Sequence, residues 1–346
     1  MKQVFKTKII DILKAQANLS SKEIFDNLDI KISYATVKRY LLQLSKDKLI
    51  SHSGMGKARK YSLSKTINLH LPINIEDYFR KEIDERIINK HFSFHLINDI
   101  LKHSEIFTEK ELINLQENQE NYYSNKTKLD TAEFNKEMER LAIDLSWKSS
   151  EIEGNTYSLL ETERLLKEKL TAEGKSKDDA VMLLNHKEAI DFILKEQDYF
   201  TELSIAKIEN IHALLIKELG VGRNIRKRRV GITGTNYVPL DNEFQIKEAL
   251  RDMCLIVNKR KNIFEKAFLA LILISYIQAF TDGNKRLARI IANALLLSKN
   301  FCPISFRTVN SIDYKKAMLI FYEQNNITAM KDIFIRQFEF ATNSYF

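Results

Sequence analysis

The sequence predicts a mainly α-helical protein with a small mixed α+β domain at its N-terminus. Only 9 Gly and 3 Pro occur among 346 residues, and so few chain breakers favour long helices over tight turns. Hydrophobic residues make up 44% of the chain, enough to bury sizeable cores in two or three domains. Residues 1–66 hold 14 Lys and Arg against 5 Asp and Glu, a net charge of +9, whereas the other 280 residues carry −1. We therefore expect a basic N-terminal module on a near-neutral body.

Composition also argues against several classes of protein. Two cysteines, Cys254 and Cys302, make neither a disulfide framework nor a metal-ligand cluster, which favours a cytoplasmic protein. The first residues are amphipathic and charged throughout, unlike a signal peptide. The longest apolar run, "FLALILISYIQAF", is shorter than a membrane span needs, so we interpret it as a buried helix and expect no membrane partner.

Three helices followed by two strands are predicted within residues 1–66. The segment "KTKIIDILKAQ" has an apolar face, "SSKEIFDNL" begins with a Ser20 or Ser21 cap and Glu23 placed for a capping box, and "SYATVKRYLLQLSKDKL" begins after Ser33. The next segment, "LISHSGMGKARKYSLS", alternates like two strands around a Gly-Met-Gly turn.

This order of elements resembles a winged helix-turn-helix domain, which implies DNA binding. The third helix would enter the major groove and the wing would reach the phosphates. The residues implied in DNA contact are Tyr34, Thr36, Lys38, Arg39, Lys57, Arg59 and Lys60. A protein-binding or dimerisation module is the alternative, and the concentrated positive charge favours DNA.

The rest of the chain is predicted to be helical. Residues 67–130 are interpreted as a helical linker region, and residues 131–346 as the main domain. Residues 228–238, around "ITGTNYV", alternate in character and predict a β-hairpin that could cover a site. His186 and His212 lie in strong amphipathic helices and are expected to be core residues.

The segment "FTDGNKRLAR" has the parts of a phosphate site. Gly283 permits a backbone conformation that other residues avoid, and the N–H groups of Gly283, Asn284 and Lys285 open a helix that attracts anions. Arg286 and Arg289 share a helix face and could grip one phosphate chain. The carboxylate of Asp282 suits Mg²⁺ that bridges phosphates.

The same segment resembles the core motif of the Fic family, H-x-F-x-[D/E]-G-N-G-R-x-x-R. Phe280 and the site residues above match it in spacing, Lys285 replaces a Gly, and Gln278 occupies the histidine position. A second segment, "SSEIEG", fits the family's inhibitory pattern [S/T]-x-x-x-E-[G/N] through Ser149, Glu153 and Gly154. The predicted hairpin falls where the family has its target-docking flap, here Thr233, Gly234 and Thr235.

The resemblance implies a Fic-type helical domain with a β-hairpin flap, joined to the small winged-helix domain. It implies binding of ATP with Mg²⁺ (or Mn²⁺) and transfer of AMP to a Ser, Thr or Tyr hydroxyl of a target protein that the sequence does not identify. It also implies an inhibitory helix near residues 146–155, in which Glu153 pairs with Arg289 and keeps the γ-phosphate from its productive position. A homodimer is compatible with the resemblance.

Gln278 is the one departure that bears on catalysis. The family's histidine is the general base, whereas a Gln amide does not titrate, and loss of a general base slows a reaction by about 10²- to 10⁴-fold. Three interpretations stay open: a regulator that binds nucleotide with transfer weakened or lost, an active transferase with a different base, and a non-catalytic scaffold. The intact phosphate site favours the first.

Overall fold

The computed structural model describes residues 2–30 and 32–346, without the side chains of Lys2, Gln3 and Lys57. Helices predominate, and the strands among these residues form one small antiparallel sheet in the N-terminal module. None of the described helices is long and apolar enough to cross a membrane.

The N-terminal module contains the three predicted helices and the two predicted strands, together with one short strand between the first two helices that was not predicted. Its helices are α1 (Lys2–Ala15), α2 (Ser21–Asp26) and α3 (Tyr34–Lys46), and its strands are β1 (Leu19–Ser20), β2 (Ile50–Ser53) and β3 (Lys60–Leu63). The sheet order is β1-β3-β2, with Ile50 opposite Leu63 and Leu19 opposite Tyr61.

Local sequence explains these boundaries. The Ser20 side chain accepts from the Glu23 N–H and the Glu23 carboxylate accepts from the Ser20 N–H, so the predicted capping box is confirmed. Ser33 caps α3 in the predicted way, by accepting from the Thr36 N–H. Val37, Leu41 and their neighbours on the same face enter a core separate from that of the body.

Residues 67–130 contain helices and also contribute buried side chains to the core of the body. They include α4 (Ile67–His70), α5 (Ile75–Phe79), a π-helical turn (Leu96–Leu101) and α6 (Glu109–Lys126). Leu69, Leu96, Leu115 and Tyr122 are almost fully buried there. The region is thus packed like the domain that follows. Its periodicity in the sequence is weak because its apolar side chains alternate with many polar ones.

The body is built from nine further α-helices among the described residues. They are α7 (Thr131–Ile152), α8 (Leu159–Glu168), α9 (Lys177–Lys195), α10 (Ile205–Leu215), α11 (Glu243–Lys259), α12 (Ile263–Ile277), α13 (Asn284–Leu297), α14 (Ser311–Gln324) and α15 (Thr328–Ser344). Every residue of α12 except Lys266 is buried, as predicted for "FLALILISYIQAF", and α13 is buried almost throughout. These two helices form the centre of the core, since an element that is apolar all round must be surrounded.

Candidate functional site

A short loop, residues 278–283, joins the two central helices at the edge of a cavity of about 390 Å³. Gln278 ends α12 with φ +51°, and Gly283 precedes α13 with φ +82°, a left-handed conformation that favours glycine. A Cβ at Gly283 would also lie 3.4–3.5 Å from Ile216 and His212. The sharp turn places the start of α13 on the cavity wall, through Gly283, Asn284 and Lys285.

The start of α13 has free hydrogen-bond donors. No side chain caps this helix, although Ser, Thr, Asn or Asp side chains cap α6 to α12 and α14. Among the described residues, the N–H groups of Gly283, Asn284 and Lys285 have no acceptor. The positive end of the helix dipole adds to these donors, so this part of the cavity can hold an anion.

Two arginines on α13 are buried and partly unsatisfied. Arg286 donates from Nη2 to Asp282 Oδ2 at 2.9 Å, and Arg289 donates from Nε to Ser149 Oγ at 2.8 Å. Among the described residues, Nε and Nη1 of Arg286 and Nη1 of Arg289 are buried without an acceptor. Buried donors usually have partners because leaving them unpaired is costly, so these N–H groups fit the oxygens of an anionic ligand.

Glu153 occupies the cavity wall next to these arginines. It follows the last residue of α7, and Gly154 comes next with φ +102°. Its Oε1 accepts from Arg289 Nη2 at 2.9 Å and its Oε2 accepts from Lys285 Nζ at 3.1 Å. Neither Arg286 nor Arg289 lines the cavity, whereas Glu153 does. Contact between these arginines and phosphate therefore stays a prediction, and Glu153 holds the Arg289 guanidinium in the present arrangement.

The ion pairs determine the charge of Glu153. Burial disfavours its carboxylate, but the charges of Arg289 and Lys285 outweigh burial and hold its pKa below the usual 4.5. A carboxylate at a helix C-terminus also opposes the helix dipole. Glu153 is thus ionised at neutral pH because of Arg289 and Lys285 on another helix. No interaction within α7 favours a carboxylate at this position.

His186 is in hydrogen-bond contact with Ser149, a contact that the sequence does not indicate. Its side chain is fully buried, and Nε2 lies 2.7 Å from Ser149 Oγ. Burial, assisted by the charge of Arg289, lowers the pKa of His186 well below 6.5, so the ring is neutral. Because Arg289 Nε donates to the same hydroxyl, Ser149 links His186 to Arg289.

His212 fixes the loop from the other side. Its ring stacks on Phe280 with centroids 3.7 Å apart, and its Nε2 donates to the Asp282 carbonyl at 2.9 Å. Burial lowers the pKa of His212, which favours the neutral ring. Both histidines are core residues, as the sequence predicted, but each also positions a residue of the site. No sequence pattern indicates these contacts, because they join helices that are distant in the chain.

Gln278 is used inside the loop. Its Nε2 donates to the Ser275 carbonyl at 2.7 Å, and its Oε1 accepts from Asn284 Nδ2 at 3.1 Å. Among the described residues no histidine lines the cavity, and its only carboxylates are Glu153 and Asp282. The cavity therefore has no neutral imidazole that could take a proton from a hydroxyl.

Asp282 suits a divalent cation. Its side chain is 61% exposed beside the cavity, and Arg286 occupies only one of its carboxylate oxygens. The described residues contain no group of three or more His, Cys, Asp or Glu that could bind a metal by themselves. Mg²⁺ is commonly held by one or two carboxylates together with substrate phosphates and water, and a single Asp282 fits that arrangement.

The prediction of a β-hairpin at residues 228–238 is wrong. The segment is a loop with a turn at Thr233 and Gly234, and its one β-bridge joins Val238 to His91 of a distant segment. The alternation is present, since Gly231 and Thr233 are exposed while Ile232 packs on the core. The alternation therefore belongs to a single extended segment, and no second strand pairs with it among the described residues.

This loop still borders the cavity. Gly231, Ile232 and Thr233 line it, and the Gly234 carbonyl accepts from Arg86 Nη2 at 2.7 Å. Thr235 Oγ1 accepts from the Tyr237 N–H within the turn. Of the three predicted flap residues, Thr233 thus lines the cavity together with the start of α13, and Gly234 and Thr235 do not line it.

The residues expected to contact DNA are unequally free to do so. Lys38 and Arg39 are exposed on α3, whereas the Tyr34 hydroxyl is hydrogen-bonded to Ser21 Oγ at 2.7 Å. The Thr36 hydroxyl lies in the cap of α3, 2.9 Å from Ser33 Oγ.

The wing residues vary in the same way. Lys60 Nζ pairs with Glu23 at 3.1 Å, and Arg59 is half-buried. The side chain of Lys57 lies outside the described residues. Lys38 and Arg39 are therefore the most available of the predicted set.

The structure is a helical protein with a cavity at the loop between its two central helices, and comparison with known proteins shows what it resembles. Residues 202–296 match the Fic/DOC family, so the chain contains a Fic/DOC family domain. The structure resembles Fic-1 from Caenorhabditis elegans, with a TM-score of 0.60 and 19% identity over 68% of this chain and 72% of that one. It also resembles a Fic domain containing signaling protein from Bacteroides thetaiotaomicron, with a TM-score of 0.56 and 17% identity over 67% and 97%.

Curated relatives agree with this assignment. The chain is 29% identical over 170 residues to the protein adenylyltransferase Fic of Nematostella vectensis, covering 48% of this chain and 40% of that protein. It is 26% identical over 172 residues to the protein adenylyltransferase fic-1 of Caenorhabditis elegans, covering 47% and 33%. The chain thus spans less than half the length of these relatives, and it is related to Fic-family adenylyltransferases through part of its sequence.

Proposed function

We propose that the cavity binds ATP with a divalent cation, and that Glu153 restrains this binding. The observation that carries the proposal is the set of unpaired buried donors on Arg286 and Arg289, next to the uncapped start of α13. The adenylyltransferase names of the relatives support ATP as the ligand. Mg²⁺ held by Asp282 would neutralise phosphate charge when bound.

Transfer of AMP to a protein hydroxyl is proposed to be weak or absent. Gln278 has no titratable group, and both ends of its amide are already hydrogen-bonded to Ser275 and Asn284. A positioned base contributes about 10²- to 10⁴-fold, so its loss leaves binding intact while slowing the chemical step.

A transferase that uses another base is the alternative. Asp282 is exposed, but it is ion-paired with Arg286 and is the residue proposed to hold the cation. The presence of Glu153 favours this alternative, because a restraint on Arg289 implies an activity that needs restraint.

The N-terminal module is proposed to be a winged helix-turn-helix that binds DNA and is regulated by the nucleotide state of the body. The net charge of +9 in residues 1–66 and the exposed Lys38 and Arg39 on α3 support DNA as its partner. Lys48 of the module forms an ion pair with Glu105 of the body, which provides one physical connection between them.

Two measurements separate the interpretations. Calorimetry with ATP and Mg²⁺ should detect binding. If neither the native chain nor Glu153→Gly binds ATP, the non-catalytic scaffold is the one interpretation that remains. Incubation of Glu153→Gly with labelled ATP should give little or no labelled protein. Rapid self-labelling of that variant would refute the proposed loss of AMP transfer, and the proposal that the cavity binds ATP would still stand.

A further inference from the structure

A buried ion pair joins the helical region of residues 67–130 to α14. Arg86 Nη1 lies 3.1 Å from Glu323 Oε1, and the two side chains are only 3% and 0% exposed. Glu323 belongs to α14, whereas Arg86 lies far in the chain from residues 202–296, which match the Fic/DOC family. Removing two charges from water is costly, so an ion pair as deeply buried as this one needs an explanation.

The carboxylate of Glu323 is held by a second donor as well as by the arginine. Its Oε2 accepts from the Tyr78 hydroxyl at 2.6 Å and from Arg86 Nη1 at 3.2 Å. Burial and the hydrogen bond to Glu323 raise the pKa of Tyr78, so the hydroxyl keeps its proton and stays a donor. The Asn89 N–H donates to the Glu323 carbonyl at 2.8 Å. The segment that contains Arg86 is therefore fixed to α14 on both sides of the arginine.

Arg86 also holds the loop of residues 228–238. Its Nη2 donates to the Gly234 carbonyl at 2.7 Å. Gly234 has φ +89°, and a Cβ there would lie 3.3 Å from Leu319 Cδ1, so the loop packs closely on α14 at this point. The cavity is lined by residues 231–233 of this loop and by four residues of α14, which are Lys315, Met318, Leu319 and Tyr322. One guanidinium thus bonds to two walls of the cavity.

The other hydrogen bonds of the loop lie farther along the chain from its cavity-lining residues. The Arg226 N–H donates to the Ala279 carbonyl at 3.0 Å before them, and the Val238 N–H donates to the Lys90 carbonyl at 2.8 Å after them. Among the described residues, the backbone groups of residues 231–233 make no hydrogen bond within the chain. The bond from Arg86 to Gly234 is therefore the hydrogen-bond anchor nearest to these cavity-lining residues in the part of the chain that the structure describes.

We propose that Arg86 is a positioning residue for the cavity, because one guanidinium bonds both Glu323 and the Gly234 carbonyl and so fixes the loop against α14. The planar fork of Arg makes two directed bonds at once, whereas the ammonium of Lys is a single point charge. A loop that is already ordered loses less conformational freedom when a ligand binds, so Arg86 should raise the affinity of the cavity. The inference rests on the proposed function only in taking ATP as the ligand.

The test compares substitutions at two buried arginines in the full chain. Arg86→Lys keeps a positive charge beside Glu323, but one nitrogen cannot occupy the places of both Nη1 and Nη2. Arg260→Lys is the matched control, because Arg260 also pairs with a glutamate, Glu265, and donates to a carbonyl, that of Leu101. Both of these partners lie outside the loop and α14.

A second variant removes the anchor without leaving an unpaired charge. In Arg86→Met/Glu323→Met both ions are replaced by apolar side chains, a change that is often tolerated when a whole buried ion pair is exchanged. The bond to Gly234 is then lost completely. Chemical denaturation of each variant shows whether it is folded, and the two Arg86 variants together keep the test decisive if one of them is unstable.

Loop motion is measured in the absence of nucleotide. A nitroxide label is attached to Thr233→Cys, since Thr233 is exposed and the two native cysteines, Cys254 and Cys302, are buried. The electron paramagnetic resonance spectrum should show faster motion of the label in both Arg86 variants than in the native background. Arg260→Lys should leave the spectrum unchanged.

Nucleotide affinity is measured on the unlabelled proteins by calorimetry with ATP and Mg²⁺. The two Arg86 variants should bind about tenfold more weakly than the native chain, and Arg260→Lys should bind with native affinity. A residue that only stabilised the fold would leave both the label spectrum and the affinity of the folded protein unchanged.

Three results would overturn the proposal. They are an unchanged label spectrum in both Arg86 variants, the same change in Arg260→Lys, and faster label motion together with native ATP affinity. Failure of the native chain to bind ATP would instead refute the proposed function. The label spectra, recorded without nucleotide, would then still decide whether Arg86 holds the loop.

Discussion

Replacing Glu153 by Gln should raise the affinity for ATP and lower the stability of the empty protein. The substitution keeps the size of the side chain and removes the charge that pairs with Arg289 and Lys285. The Arg289 guanidinium, which is fully buried, then lacks its counter-charge until a phosphate supplies one.

The magnitude follows from the two contacts. Hydrogen bonds to charged groups contribute about 1.5–3 kcal/mol each to stability. The Glu153 side chain is 18% exposed, and Gln can still accept one hydrogen bond, so we expect about 1.5–3 kcal/mol for the whole change. If ATP must displace Glu153 from Arg289, its affinity should rise by about 10- to 100-fold, since each 1.4 kcal/mol is a factor of ten.

Calorimetry with ATP and Mg²⁺ measures the affinity, and chemical denaturation with and without ATP measures the free energy of unfolding. Glu151→Gln is the matched control, because Glu151 is also near the end of α7 but bonds to Lys148 and Ser311 and does not line the cavity. ATP should restore the stability of the Glu153 variant by mass action. Unchanged ATP affinity in Glu153→Gln, or an equal gain in Glu151→Gln, would refute the restraint.

Three further predictions concern the catalytic position, the junction between modules and DNA. Gln278→His, made in the Glu153→Gln protein, should raise AMP transfer by about 10²- to 10⁴-fold in a labelled-ATP assay, and no gain would show that more than the base is missing. Burial lowers the pKa of His70 from 6.5 to about 4, so the folded protein binds fewer protons and should lose about 3 kcal/mol of stability as pH falls through this range. Denaturation at several pH values should show that His70→Phe removes this loss of unfolding free energy, whereas substitution of the exposed His103 leaves it in place. The same pH dependence in His70→Phe and in the native chain would contradict the prediction. A Lys38→Ala/Arg39→Ala variant should bind duplex DNA more weakly and with a shallower salt dependence, and an unchanged salt slope in anisotropy titrations would argue against these contacts.

The N-terminal module could be predicted almost entirely from sequence, because its signals are local. The Ser20 and Ser33 caps, the apolar face of α3 and the alternation around Gly54 and Gly56 each act within a few residues. The glycine turn has φ +74° at Gly54, where a Cβ would meet the Ala58 carbonyl oxygen at 2.5 Å, so the local sequence determines the geometry.

The parts of the site that could be predicted from sequence are those that match a motif of a known family. The start of α13 and the pairing of Glu153 with Arg289 follow from patterns that resemble the Fic family. In the structure, Glu153 Oε1 and Arg289 Nη2 lie at hydrogen-bond distance. The contacts of His186 and His212 could not be predicted, because they depend on packing between helices far apart in the chain. The hairpin failed for the related reason that a strand pattern does not reveal whether a partner strand exists.

A structure of the chain crystallised with ATP and Mg²⁺ tests the central claim most directly. The account predicts phosphate oxygens at the N–H groups of Gly283 to Lys285 and at the unpaired donors of Arg286 and Arg289, with the cation on Asp282. Nucleotide bound elsewhere, or a cavity that stays empty in both the native chain and Glu153→Gln at saturating ATP, would contradict it.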